Sequence, residues 1–134
     1  QGSHLYDDKG VYGGLPSETR FVILGDLNAS ADEGDSLQGG IDVLLQNEHL
    51  QSDIVPSSEG AVAHSPENPR ARNHTAQWGM RADYVLPSRR GFAIKNAGVF
   101  WPPAGAPSAP LVQDRGASSD HRLVWLDLEL KPLP

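Results

Sequence analysis

Apolar residues concentrate at four places along the chain. Phe21-Val22-Ile23-Leu24 is an unbroken apolar run closed by Gly25-Asp26. Bounded by turn residues, it predicts a strand over residues 20–25, buried on both faces. Ile41, Leu44, Leu45 and Leu50 recur near helical spacing, predicting a short amphipathic helix over residues 41–50. Residues 82–86 read as a short strand stopped by Pro87, and residues 92–100 as another. In residues 122–130, Val124, Leu126, Leu128 and Leu130 share one face while Asp127 and Glu129 share the other. That alternation belongs to a strand with one face exposed.

The intervening segments read as loops. Residues 5–19 are turn-rich, residues 26–40 are polar, and residues 102–110 are proline-rich. Residues 51–79 are broken by Pro56, Pro66 and Pro69. A connection of about 30 residues is long for a compact domain, and such loops tend to carry function. Strands interleaved with one helix point to a layered α/β or α+β arrangement.

Composition narrows this picture. A chain of 134 residues is ordinary for one domain. The net charge of −6 argues against a simple electrostatic nucleic-acid binder. Charge is nevertheless uneven: seven of the eight arginines lie from Arg70 to Arg122, while Asp26, Asp32, Glu33, Asp35 and Asp42 crowd the earlier part. An acidic rim invites a cation, and arginines beside it suit an anionic substrate. Without cysteine there is no disulfide or thiolate metal site, and compartment stays undecided between secreted and intracellular. No apolar run reaches the roughly 20 residues that span a bilayer. Residues 1–4, Gln1-Gly2-Ser3-His4, read as a cloning scar preceding a domain over residues 5–134.

Three polar constellations could carry chemistry. In Gly25-Asp26-Leu27-Asn28 the two polar side chains can point the same way at a strand end. The carboxylate can hold a divalent cation or accept a proton from water, and the amide can orient it; an Asx-type turn capping the strand would use the same residues. Asp26, Asn28, Ser30 and Asp32 also follow the alternation of a calcium loop, but Ala31 and Leu37 occupy its most restrictive positions. In "MRADYVLPS", Asp83 opens a strand, where an acidic residue is unfavourable. It suits a strand-end cap, an ion pair with Arg81, or a hydrogen bond that holds a histidine ring. In "SSDHRLVW", Asp120 and His121 sit where a loop enters the last strand.

Taken in order, GDLN, RADYVL and SDHRLV resemble the endonuclease/exonuclease/phosphatase superfamily, the metal-dependent phosphoesterases related to deoxyribonuclease I. "ADYVLPS", "GVFWP" and "SDHRLVW" look especially like its bacterial members. The resemblance implies hydrolysis of a phosphate ester by an in-line water with Mg²⁺, Mn²⁺ or Ca²⁺. It implies that Asp26 activates the water and touches metal, that Asn28 positions Asp26 and the phosphate, and that Asp120 is a metal ligand. His121 would contact the scissile phosphoryl group with Asp83 as its partner, and Arg81 could grip phosphate. It also implies the C-terminal half of a four-layer α/β sandwich: one mixed β-sheet with helix on one face. An early Asn, a metal-binding Glu and a second His of the family have no counterpart here, so the chain alone is expected to be nearly inactive. Its uncovered sheet face is expected to pair with a second copy as a homodimer. The alternative is a non-catalytic partner-binding domain on the same fold. Nucleic acid stays possible as a substrate, though the net charge does not indicate it.

Overall fold

The computed structural model describes residues 2–16, 18–37 and 39–133. Gln1 of the expected scar, and Ser17 and Gln38 of the expected loops, lie outside these. The elements are β1 (Val22–Asp26), α1 (Asp42–Leu45), α2 (Glu59–His64), β2 (Asp83–Pro87), β3 (Phe92–Phe100) and β4 (Leu123–Leu130), with 3-10 turns at Ala71–Asn73 and Ala109–Val112. Helices and strands are therefore mixed. Instead of one mixed sheet there are two small antiparallel ones, β1 with β2 and β3 with β4. No described strand runs parallel to a neighbour, because each strand pairs with one that enters from the opposite end.

The β1–β2 ladder runs from Val22 opposite Pro87 to Asp26 opposite Asp83. It is extended at either end by Ser88 N–H donating to Phe21 O at 2.8 Å and Leu27 N–H to Ala82 O at 2.9 Å. β2 continues through Pro87, which the sequence marked as its stop; the Pro87 carbonyl accepts the Gln51 N–H at 2.9 Å. β3 pairs with β4 along its whole length, with a bulge between Ile94 and Asn96. Gly98 makes room for Trp125: a Cβ on Gly98 would lie 2.7 Å from the indole.

Two apolar clusters anchor the sheets. Ile41, Leu50, Tyr84 and Leu86 are buried together, with Phe21, Ile23, Leu27, Leu44 and Leu45 packed around them. Full burial of one such side chain is worth about 1.5–3 kcal/mol. β1 thus covers one face only; Leu24, on the other, is 68% exposed, contrary to the expectation of a strand buried on both sides. The expected helix over residues 41–50 shrinks to one turn, because no side chain caps its N-terminus and Leu50 N–H turns back onto Asn47 O at 3.0 Å. That turn delivers Leu50 to the core, where packing outweighs helix propagation.

The second cluster joins Ala61, Val99, Trp101 and Val112. Here the expectation of an irregular loop over residues 51–79 needs correcting. Ser58 caps α2, accepting the Ala61 N–H at 3.1 Å and donating to the Trp101 carbonyl at 3.1 Å. Gly60 lies so close to Trp101 that a Cβ would sit 1.9 Å from its carbonyl oxygen. The helix is carried by small residues, Gly60-Ala61-Val62-Ala63, which leave little hydrophobic periodicity to read.

Gly60→Ala is expected to destabilise the protein by about 1–3 kcal/mol through overpacking. An unchanged urea-denaturation midpoint would contradict this close approach.

Candidate active site

The pairing of β1 with β2 sets Asp26 directly opposite Asp83. Like charges across a ladder repel, so each carboxylate needs compensation, and each has it. Asp26 Oδ1 accepts the Asn28 N–H at 2.8 Å and Oδ2 accepts from Asn28 Nδ2 at 3.0 Å. Asn28 adopts φ +44°, the one non-glycine with positive φ among the described residues. Asn tolerates this left-handed geometry. The chain leaves β1 at this Asx turn, and the turn aims the Asp26 carboxylate.

Asp83 is held from the opposite side. Thr75, 1% exposed, donates from Oγ1 to Asp83 Oδ2 at 2.6 Å and accepts the Ala82 and Asp83 N–H groups at 2.9 and 3.0 Å. His121 Nδ1 lies 3.1 and 3.0 Å from the two Asp83 oxygens. With Nδ1 donating to that carboxylate, the ring directs Nε2 toward Asp26, 3.8 Å from Oδ2. This gap is longer than a hydrogen bond. One ligand atom each from Asp26, Asp83 and His121 falls within 4.8 Å of the others, a cluster able to hold a cation. Beside it, a cavity of about 210 Å³ is bordered by Asp26, Asp83, Leu24 and Leu123.

His121 is placed by backbone pairing and by Arg122. It bridges Ala76, and Arg122 N–H donates to Thr75 O at 2.7 Å. The Arg122 side chain is 4% exposed. Its Nη1 donates to the Ser119 and His121 carbonyls at 2.6 and 3.1 Å, and Nη2 to Val112 O at 2.8 Å. The guanidinium also lies 4.7 Å from the Trp101 ring centroid. Burial lowers its pKa, an effect opposed by Asp120. Trp78, in the turn that follows Ala76, meets the His121 ring edge-on at 4.9 Å and 81°.

Of the residues singled out in the sequence, Asp26, Asn28, Asp83 and His121 meet here. Asp120 stands outside the cluster: its carboxylate is 3.5 Å from the well-exposed Arg115, and its carbonyl accepts the Gln77 N–H at 2.9 Å. Arg81 lies 4.3 Å over the Tyr84 ring. It lines a separate cavity with Ser30, Asp32 and Arg70 instead of the one beside Asp26. Burial lowers the Arg81 pKa and raises that of Tyr84, whose hydroxyl donates to Ala29 O at 2.7 Å. Asp32 of the calcium-like alternation turns to Arg70 at 3.5 Å. Sequence reasoning passed over Thr75 and Arg122. Thr75 had one signal, the Gln77-Trp78-Gly79 turn that folds it back beside Ala82.

A family model described as the Endonuclease/Exonuclease/phosphatase family matches residues 1–121, a span that includes Asp26, Asn28, Asp83 and Asp120 and ends on His121. No curated protein and no solved structure matches the chain.

Thr75→Ala is expected to leave two amides and the Asp83 carboxylate short of partners, lowering stability by about 1–3 kcal/mol. Thr75→Ser is expected to keep most of it. Equal midpoints for the alanine variant and the parent in chemical denaturation would refute this role.

Proposed function

Because the chain belongs to the Endonuclease/Exonuclease/phosphatase family, we propose that it is a metal-dependent phosphoesterase of bacterial type acting on a phosphodiester or phosphomonoester. Members of this family are hydrolases of phosphate esters and generally depend on a divalent metal. The observation carrying the proposal is the Asp83–His121–Asp26 alignment, with Nδ1 3.0 Å from Asp83 and Nε2 3.8 Å from Asp26.

The donor set fits a hard cation. Asp26 spends its bonds on Asn28 alone and keeps 41% of its side chain exposed. Asp120 lies 3.5 Å from Arg115, which is 80% exposed, so this surface ion pair holds it weakly. Asp83 is committed to His121 and Thr75, which suits a ring-holding partner better than a ligand. We assign Mg²⁺ to Asp26 on its exposure and, on the family resemblance alone, to Asp120, which stands outside the Asp26–Asp83–His121 cluster, with Mn²⁺ or Ca²⁺ as substitutes; Mg²⁺ needs only one or two carboxylates beside water and phosphate. When bound, the cation supplies positive charge that stabilises the phosphoryl group in its transition state.

The chain's own residues do the rest. Asp26 orients the attacking water and accepts its proton. Asn28 keeps that carboxylate aimed and offers its amide to a phosphoryl oxygen. His121, fixed by Asp83, presents Nε2 to the scissile phosphoryl group, where a protonated ring donates a hydrogen bond to developing charge. The early Asn, metal-binding Glu and second His that the family resemblance implies have no counterpart in this sequence, so the chain by itself is expected to turn over slowly. Calorimetric titration with Mn²⁺ is expected to show binding weakened about 10–100-fold by Asp26→Asn and by Asp120→Asn. His121→Ala is expected to keep metal affinity and lose the residual hydrolysis of bis(p-nitrophenyl) phosphate. Metal binding indifferent to both aspartate changes would overturn the proposal.

At the level of the fold, we propose that the chain is the C-terminal half of a sandwich. Two-stranded sheets are marginal alone, and here Leu24, Leu123 and Trp125 stay 68%, 66% and 39% exposed. A second copy would cover that face. Sedimentation at micromolar concentration is expected to give a dimer that Leu24→Arg with Leu123→Arg dissociates; a parent monomer would rule it out.

A further inference from the structure

Trp78 stands between two features. One edge of it meets His121, with ring centroids 4.9 Å apart. The same side chain, 50% exposed, lines a cavity of about 610 Å³ together with Glu33, Pro66, Glu67, Asn68 and Arg70. A ligand whose phosphate reaches His121 therefore has the indole as its next wall, and the cavity beyond it for whatever the phosphate carries.

The chemistry of this cavity is selective. Its Glu33 carboxylate is 15% exposed and held in place, receiving Asn68 Nδ2 at 2.7 Å and lying 3.1 Å from the buried His74 Nε2. A fixed, partly exposed carboxylate is an acceptor for hydroxyl groups that pays little ordering entropy. Arg70 leans toward Asp32 at 3.5 Å, so the lining carries more negative than positive charge. A second phosphate is disfavoured there. The indole and Pro66 offer apolar surface to the C–H face of a ring.

We propose that this cavity is the subsite for the alcohol portion of the substrate, and that this portion is the neutral, hydroxyl-bearing ring of a sugar phosphate. This rests on the phosphoesterase reading and deepens it. Trp78 is the specificity-determining residue. Its indole packs on the ring, and Glu33 accepts from the ring hydroxyls.

The test is calorimetry on the intact chain with Ca²⁺, titrating inorganic phosphate, glucose 6-phosphate and adenosine 5′-monophosphate. Glucose 6-phosphate is expected to bind about tenfold more tightly than inorganic phosphate, the margin one aromatic contact provides. Trp78→Ala is expected to remove most of that margin, Trp78→Phe to keep it, and Glu33→Gln to narrow it. Equal affinity for glucose 6-phosphate and phosphate in the parent overturns the subsite and leaves the phosphoesterase reading standing. Trp78→Ala weakening both ligands alike also overturns it, since a structural role would do that. A tenfold preference for the adenosine nucleotide over glucose 6-phosphate overturns it in favour of a nucleobase. No calcium-dependent phosphate binding at all overturns the phosphoesterase reading and the subsite together.

Discussion

One buried threonine joins three segments of this protein. Thr75 Oγ1 receives the Ala82 and Asp83 amides and donates to the Asp83 carboxylate, while its carbonyl receives the Arg122 amide. The start of β2 and the entry to β4 are thereby tied to the same residue. The sheets themselves do not share a ladder. This joint, together with the Asp83–His121 contact and the Ala76–His121 bridge, fixes the carboxylate on one against the imidazole beside the other. Buried polar groups of this kind are costly when unpaired and rigid when fully paired, and this one is fully paired.

The second constraint is electrostatic. Register places two aspartates face to face, an arrangement that a sheet selected for stability alone would avoid. The strain is spread over Asn28, Thr75 and His121, each of which gives hydrogen bonds to one carboxylate or the other. A site that concentrates negative charge beside an imidazole suits a cation and a phosphate ester better than it suits the apolar surroundings of Leu24 and Leu123. Membership of a family of phosphate-ester hydrolases agrees with that chemistry.

Arg122 shows how the two halves of the site share support. Its guanidinium satisfies carbonyls on both sides of Asp120 and reaches Val112 in the 3-10 turn, stacked against Trp101. The proline-rich segment is therefore bracing for the histidine loop. Three carbonyls, the Trp101 face and the nearby charge of Asp120 offset the burial of this cation, although its Nε has no hydrogen-bond partner among the described residues.

Strands β1 to β4 were legible because period-two and continuous apolar patterns survive in residues 22–26, 83–87, 92–100 and 123–130. The meeting of Asp26, Asn28, Asp83 and His121 was anticipated through the ordered set GDLN, RADYVL and SDHRLV and its family resemblance, since each motif alone suits a turn or strand-end cap equally well. Helix α2 was not legible: Gly60 and Ala61 pack by backbone proximity, which leaves no hydrophobic stripe. Nor was the separation of the strands into two antiparallel sheets, since which strands pair depends on contacts far apart in the chain. The local order of residues determined the ingredients of the site; the tertiary structure alone decided that Thr75, Trp78 and Arg122 surround them. A hydroxyl, an indole or a guanidinium acquires its role from what folding brings within 3–5 Å, and that distance is not written in sequence spacing.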